Sequence, residues 1–557
     1  MVHNSQRSPT VRNNSSSKSS GLSCPFGAPP IAIFAVGLLV SQLIIFNIGA
    51  IYFQGDNYYD SANTNHISRQ DGRQRELPQR IEDIKPADGT FNGYPIWFRK
   101  DQKDNIETFS HCVGENYQEE TSWQKKSCEF SNLFCFDTAT KDYVVFDLDK
   151  NEGMYDHAEN QPFIDISQSF LKKSQSKVNS VSLGGINLKW SDGINRLKWF
   201  PEIRIVKPNE SLSYYELSSD VVMVPFHSMN GGNPGHLVWD DFLPIYTLLS
   251  MYQLKNKSME LLMMRYVLKD EDRGLWASCD WTDEKKEACE QMFKKFLPLM
   301  LGSERAHDKL VTTEEFDFQL VGDNDTNNSN RISSPNQSTL VCAKHGLAGI
   351  GALTDHGTSK LHGWEDKDYQ TTQNHGRGGM LYEFRNFMLK NMGIPIEYSH
   401  KPPFRIIFSE NSSNINRRNF DFTKQKELVQ QSFDPSYVSV ESYVFSEMSV
   451  AKQLEVASQA SIFITSCGGG AVSSMFMPKG STVIFYYLED GGVIDGRSSG
   501  KPARLDWDLF NNMAYLKVHW LPAGTMQTDA DTKALLFLIQ HELDSIIRER
   551  SYDHFFN

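Results

Sequence analysis

Cysteine is scarce, with eight in 557 residues, and no CxxC or HxxxH spacing frames a zinc site. Basic charge is short as well. Lys and Arg number 56 against 69 Asp and Glu, a formal charge of −13, so no basic excess is present to hold a phosphate backbone and nucleic acid is excluded as a partner. The one glycine-rich loop behind a strand-like run lacks both the GxGxxG spacing and the GK[ST] ending of the familiar phosphate loops. A nucleotide-dependent oxidoreductase would also need an acidic ribose residue some 20 positions beyond such a fingerprint, and none follows. Long hydrophobic runs are absent with one exception, IAIFAVGLLVSQLIIFNIGAIYF, residues 31–53, which holds 23 residues without a charge.

That run is long enough to span a hydrocarbon core of about 30 Å and longer than the apolar core of a cleaved signal peptide. Arg7, Arg12 and Lys18 precede it without an acidic residue, and Asp56 and Asp60 follow. The positive-inside rule then predicts a type II single-pass protein: cytoplasmic tail 1–30, membrane helix 31–53 and everything else on the lumenal side. Sequons at Asn209, Asn256, Asn324, Asn327, Asn336 and Asn411 are compatible with that compartment. Seven cysteines lie past the run, where an oxidising lumen favours disulfides. Cys279 with Cys289, and two of Cys112, Cys128 and Cys135, are close enough in sequence to pair locally.

Residues 54–104 read as a polar stem. Beyond them short apolar runs (YVVFDLD, VVMVPF, ELLMMRYVL, FRIIFS, SIFIT, TVIFYY) alternate with helix-like stretches. Continuous apolar strands separated by helices predict an α/β fold with parallel sheets covered on both faces. Gly393 caps the helical stretch LYEFRNFMLKNMG, and KPP at 401–403 follows it. The chain thus divides into an N-terminal domain, 105–398, and a C-terminal domain, 399–557. The terminal run TKALLFLIQHELDSIIRER is helical by spacing and could pack back over the first domain.

In the C-terminal domain SIFIT, SCGGGAVSSMFMPKG and STVIFYY make a strand, loop, short helix and strand with the glycines at the helix start. Backbone N–H groups there favour an anion such as a phosphate. A tight turn with close helix packing explains the same glycines.

With Gln453 in the preceding helix, and Phe476, Pro478 and Gly480 after the glycines, this segment resembles glycosyltransferase family 61. That family includes plant xylosyl- and arabinosyltransferases and animal lumenal O-linked N-acetylglucosaminyltransferases. Three further blocks resemble it in the expected order: CEFSNLFCF (128–136), NPGHLVWDDFLPIYTLL (233–249, with Asn233, His236, Asp240 and Pro244 matching) and VCAKHGLAGIG (341–351). The resemblance implies a glycosyltransferase B fold, two facing Rossmann-like domains. It also implies an inverting transferase in the Golgi or endoplasmic reticulum membrane, which moves a pentose or N-acetylglucosamine from a UDP-sugar to a glycan or glycoprotein.

Inverting transfer needs a base for the acceptor hydroxyl and positive groups for the departing diphosphate. His236 and Asp240 share a helical face and are expected as base and orienting carboxylate, in either assignment. The alternative is that they only fix the helix start. Ser409, Arg417, Arg418 and Asn419 fit the family's arginine-bearing segment loosely and, with Cys467, Gly468, Gly469 and Gly470, are the expected donor-binding residues. Arg377, in NHGRGG near the domain boundary, is a further candidate beside a reading as simple turn chemistry. Two positions depart from the family: Cys467 stands where it has a loop histidine, and Glu410 where an arginine is common. These departures support the alternative of a catalytically inactive lumenal binding protein that retains the fold. No cofactor is expected and catalysis is expected to be metal-independent. The competing metal motif is DLD at 147–149, since DND at 323–325 reads as surface loop.

Overall fold

The computed structural model describes residues 87–102, 106–113, 127–148, 202–206, 211–228, 231–254, 259–267, 279–302, 311–321, 339–348, 377–410, 420–487, 504–526 and 528–556. All fall within one compact unit, Lys85–Asn557. Residues 31–53 and all six sequon asparagines lie outside the described residues. Among the described residues, no helix is long and apolar enough to cross a membrane.

Two sheets organise the unit. The first contains β1 (Gly89–Phe91), β2 (Tyr94–Gln102), β3 (Phe109–Val113), β4 (Ser127–Asp137), β5 (Asp142–Leu148), β6 (Glu202–Val206), β7 (Leu212–Leu217), β8 (Val221–Phe226), β9 (Glu260–Arg265), β10 (Phe318–Leu320) and β11 (Leu340–Ala348). The second contains β12 (Phe404–Glu410), β13 (Val438–Val444), β14 (Ile462–Ser466), β15 (Thr482–Tyr487) and β16 (Lys517–Pro522), in the order β13-β12-β14-β15-β16.

The parallel order expected throughout holds in the second sheet, where every pairing is parallel. The first sheet is mixed, which corrects that expectation. β4 runs antiparallel to β3, β5 and β11, and β2 antiparallel to β1 and β7, while β8 is parallel to β9 and β11. Short connections explain the difference: four residues join β4 to β5, enough for a hairpin and too few for a crossover helix. The end of the stretch read as a stem also belongs to this sheet. Phe91, Tyr94 and Ile96 are buried on β1 and β2, an alternation that a polar average over 54–104 conceals.

Alternation places the cores. On β8, Val222, Val224 and Phe226 enter one apolar layer while Val221 and Met223 enter another. On the second sheet, Ile407, Phe463, Val483 and Phe485 join the same layer as Val222, whereas Ile406, Ile462, Ile464 and Ile484 form a core of their own. One continuous apolar layer therefore serves both sheets. Past α1 (Pro234–His236), it is filled by the turn Leu237–Phe242 and by α2 (Leu243–Met251), α3 (Asp283–Phe296), α4 (Pro298–Leu301), α5 (Gly378–Asn391) and, past α6 (Thr423–Ser432), α7 (Val450–Ala457) and α8 (Arg504–Asn511). Val450, Leu454, Ala457 and Ala460 are the buried face of α7 and its exit, as their spacing predicts. The last helix, α9 (Asp529–Phe556), packs on the second sheet rather than over the first domain: Leu535, Ile539, Leu543 and Ile546 meet Ile406, Ile464 and Ile484.

Of the expected disulfides, Cys279–Cys289 is present, joining the approach to α3 to its middle. Cys135 takes no part in a local pair and bonds Cys342 at a sequence separation of 207, while Cys128 is also disulfide-bonded and stands opposite position 112 in the β3–β4 register, in keeping with the local expectation. Cys135 and Cys342 are register partners across β4 and β11, so the sheet rather than the chain brings them together.

Candidate active site

The sequence NPGH builds its own helix start. Asn233 caps α1, its Oδ1 accepting the Gly235 N–H at 2.9 Å, and Pro234 occupies the first turn, where a missing N–H costs nothing. The chain then passes through a π-helical stretch, Leu237–Phe242, into α2. Its wider turn is a form frequent at functional sites. His236 and Asp240 meet there, with imidazole Nδ1 at 2.6 Å from the Asp240 carboxylate. Asp240 is fully buried, and the His236 side chain keeps 12% of its surface. A carboxylate that accepts from Nδ1–H selects the tautomer with Nε2 as the basic nitrogen. The geometry thus separates two roles left interchangeable in sequence: His236 is the group able to take a proton, and Asp240 the group that orients it.

The three glycines of the loop are not equivalent. Gly468 has φ +126°, backbone that L side chains rarely adopt, and its N–H donates to Asp506 Oδ2 at 2.6 Å. At Gly469 a Cβ would lie 2.3 Å from Asn233 Oδ1 and 3.3 Å from Pro234 Cδ, so this glycine exists to let the NPGH turn approach. Gly470 is exposed, and a Cβ there would meet nothing within 4 Å. One N–H of the expected phosphate cradle, that of Gly468, is thus already engaged by the chain's own Asp506 carboxylate. The expected short helix is of the 3-10 kind, Gly469–Phe476, and begins within the glycine run.

Two motifs some 230 residues apart in sequence therefore touch. Helix α8 braces the junction: Asp506 holds Gly468, and one turn later Phe510 packs edge-on against Trp239 with ring centroids 5.7 Å apart. Arg377, at the start of α5, lies in the field of Asp508 on α8; burial holds its guanidinium below its ordinary value against that carboxylate's pull. Gln453, quoted above as a family position, is a fastener. Its amide donates to the carbonyls of Phe445 and Met448 and accepts from Ser473 of the 3-10 helix. Arg385, fully buried on α5, donates to the Phe476 carbonyl at the other end of that helix.

Cys467 is buried within the shared apolar layer, outside the disulfides. Ser409 is buried on β12, and Glu410 turns to Ser442 of β13 and to Lys426 of α6. Arg417, Arg418 and Asn419 lie outside the described residues. Asp147 is on β5, while Asp149, Asp323 and Asp325 lie outside the described residues. Among the described residues, no group of three or more His, Cys, Asp or Glu is placed to hold a metal ion. Sequence reasoning missed Asp506, Trp239 as a packing partner, and the bracing role of α8. Asp506 sits in RLDWDLF, where nothing distinguishes it from a surface acid.

A mixed α/β unit with a parallel second sheet, a histidine–carboxylate pair and a glycine loop against it fits a glycosyltransferase fold. Residues 364–484 match the family model Glycosyltransferase 61, which supports assignment of the chain to that family and glycosyltransferase activity in general. The match includes Arg377, Arg385, Ser409, Gln453 and the glycine loop; His236, Asp240 and Asp506 lie outside it. No curated protein matches the chain.

Proposed function

We propose that this chain is an inverting, type II glycosyltransferase of the Golgi or endoplasmic reticulum membrane, anchored through residues 31–53. It moves a pentose or N-acetylglucosamine from a UDP-sugar to a glycan or glycoprotein, without a metal, between two facing domains of a glycosyltransferase B fold. The observation that carries the reading is the contact of the His236–Asp240 pair's own helix start with Gly469. It sets a base from one half of the chain beside the loop of the other, and Gly470 leaves that loop open to a donor. His236 Nε2 takes the proton of an acceptor hydroxyl whose oxygen attacks the anomeric carbon. The bond to the diphosphate oxygen breaks on the opposite face and UDP leaves, so the configuration inverts. Asp240 stabilises the imidazolium formed.

The test is ligand-dependent thermal stability of the full-length chain in detergent, with UDP, GDP, CMP, NAD, UDP-xylose, UDP-arabinose and UDP-N-acetylglucosamine, each with and without EDTA, followed by UDP release. A UDP-selective shift that survives EDTA, with release that falls about a hundredfold or more in His236→Ala while the shift persists, supports the reading. A shift abolished by EDTA returns Asp147 and Asp149 to consideration. A second reading, an inactive lumenal binding protein that keeps the fold, is favoured by Asp506 on the Gly468 N–H and by the buried Cys467. It predicts a nucleotide shift with no turnover, or no shift at all.

A further inference from the structure

Asp240 has a neighbouring carboxylate, Asp241, buried on the same π-helical turn and unused by the mechanism above. Asp241 Oδ2 accepts the hydroxyl of Ser228 at 2.5 Å. Ser228 is fully buried just beyond the C-terminal end of β8, the strand that delivers the chain to NPGH. The approach is built for that hydroxyl: a Cβ on Gly231 would come within 2.7 Å of Ser228 Oγ. The Ser228 carbonyl is also engaged, accepting from the Cys279 N–H at 3.4 Å beside the Cys279–Cys289 disulfide. The next residue, Asp280, takes a hydrogen bond from the buried Arg265 at the end of β9. Ser228 thus stands on a rigid platform of two strand ends and a disulfide.

We propose that Ser228, acting through Asp241, is a positioning residue for the His236–Asp240 pair; the inference rests on the transferase reading above. Two adjacent buried carboxylates repel each other and compete for donors. Each has its own: Asp240 takes His236 Nδ1–H, and Asp241 takes the Ser228 hydroxyl. The second bond pins the turn so that the first carboxylate stays under the imidazole. Without the hydroxyl the turn loses its anchor at Asp241, and the adjacent Asp240 carboxylate is held less firmly under the imidazole.

The test compares wild type, Ser228→Ala and Asp241→Asn in the full-length chain. One readout is kcat and KM for UDP release from UDP-xylose and UDP-N-acetylglucosamine; the other is the downfield Nδ1–H proton resonance of nitrogen-15-labelled histidine, assigned by its loss in His236→Ala. Ser228→Ala is expected to lower kcat about tenfold, the equivalent of one hydrogen bond of about 1.4 kcal/mol, with donor KM unchanged and the resonance lost or broadened. Asp241→Asn, whose amide oxygen still accepts from Ser228, is expected to keep the resonance and most of kcat. Retention of both kcat and resonance in Ser228→Ala overturns the proposal, as does an Asp241→Asn variant as impaired as Ser228→Ala. If His236→Ala releases UDP at the wild-type rate, the transferase reading of this pair falls instead, while the resonance still reports whether Ser228 positions it.

Discussion

At the scale of single residues, a charge is useful here only where a partner has been built for it. Arg405 on β12 grips Glu441 of β13 through both carboxylate oxygens, at 2.9 and 2.6 Å. That fork draws the Glu441 carboxyl from an ordinary 4.5 down to about 2. An acid held low in the folded state stabilises at pH values above its unfolded value, and the stabilisation is lost as pH falls towards the folded one. Thermal stability is therefore expected to decline between about pH 4.5 and about pH 2 in part through this pair. Glu441→Gln should lower stability by about 1 kcal/mol at pH 7, a figure discounted for solvent screening of a partly exposed pair, and flatten that part of the pH profile. A pH series of melting curves for both proteins checks it; parallel curves would contradict the assignment. The pairing itself was not legible in sequence, because only β-sheet register brings positions 36 apart to the same face.

At the scale of elements, the glycine loop separates packing from binding. Gly469→Ala drives a methyl into Asn233 Oδ1, the acceptor that caps α1. The cap is worth about 1 kcal/mol and overpacking costs about 1–3 kcal/mol, so a loss of roughly 2–4 kcal/mol and a clear drop in melting temperature are expected. Gly470→Ala meets open space. Its stability should stay within about 0.5 kcal/mol of wild type, while its donor KM rises if the loop faces the donor. Circular dichroism melts with donor titration distinguish the two. The text CGGG announced a loop at a helix start, but which glycine served the turn, the neighbour and the ligand depended on Asp506 and Asn233, and neither lies next to it in the chain.

At the scale of the whole molecule, the first sheet is tied across its middle. Cys135 and Cys342 join β4 to β11 over a separation of 207 residues, so the bond restricts a long stretch of the unfolded chain. The double substitution Cys135→Ser, Cys342→Ser is expected to lower stability by about 2–4 kcal/mol, with little change in donor KM. Denaturant unfolding beside a donor titration measures both effects; unchanged stability would show that the sheet alone carries this junction. The shared apolar layer makes the two sheets interdependent in the same way. Leu237 and Val238 beside the base pack in one cluster with Ala471 and Val472 behind the glycines, so a core change on either side displaces both motifs.

By itself the sequence determined what local physics controls. Strand and helix periods established the α/β class, Asn233 and Pro234 the start of α1, Ser449 the start of α7, Gly393 the end of α5, and the glycine run a turn, with Gly468 in backbone that other residues rarely take. His236 and Asp240 were legible as a pair for the same reason, since four residues of helix put them on one face. Only the tertiary structure decided what distant segments do to one another. It chose Cys342 for Cys135, made the first sheet mixed, sent α9 to the second sheet, set Asp506 on the Gly468 N–H, and placed Ser228 under Asp241. The reason is physical: periodicity and capping are written within one helical turn or one strand, whereas sheet order and side-chain contacts across hundreds of residues leave no repeating trace in the chain that forms them.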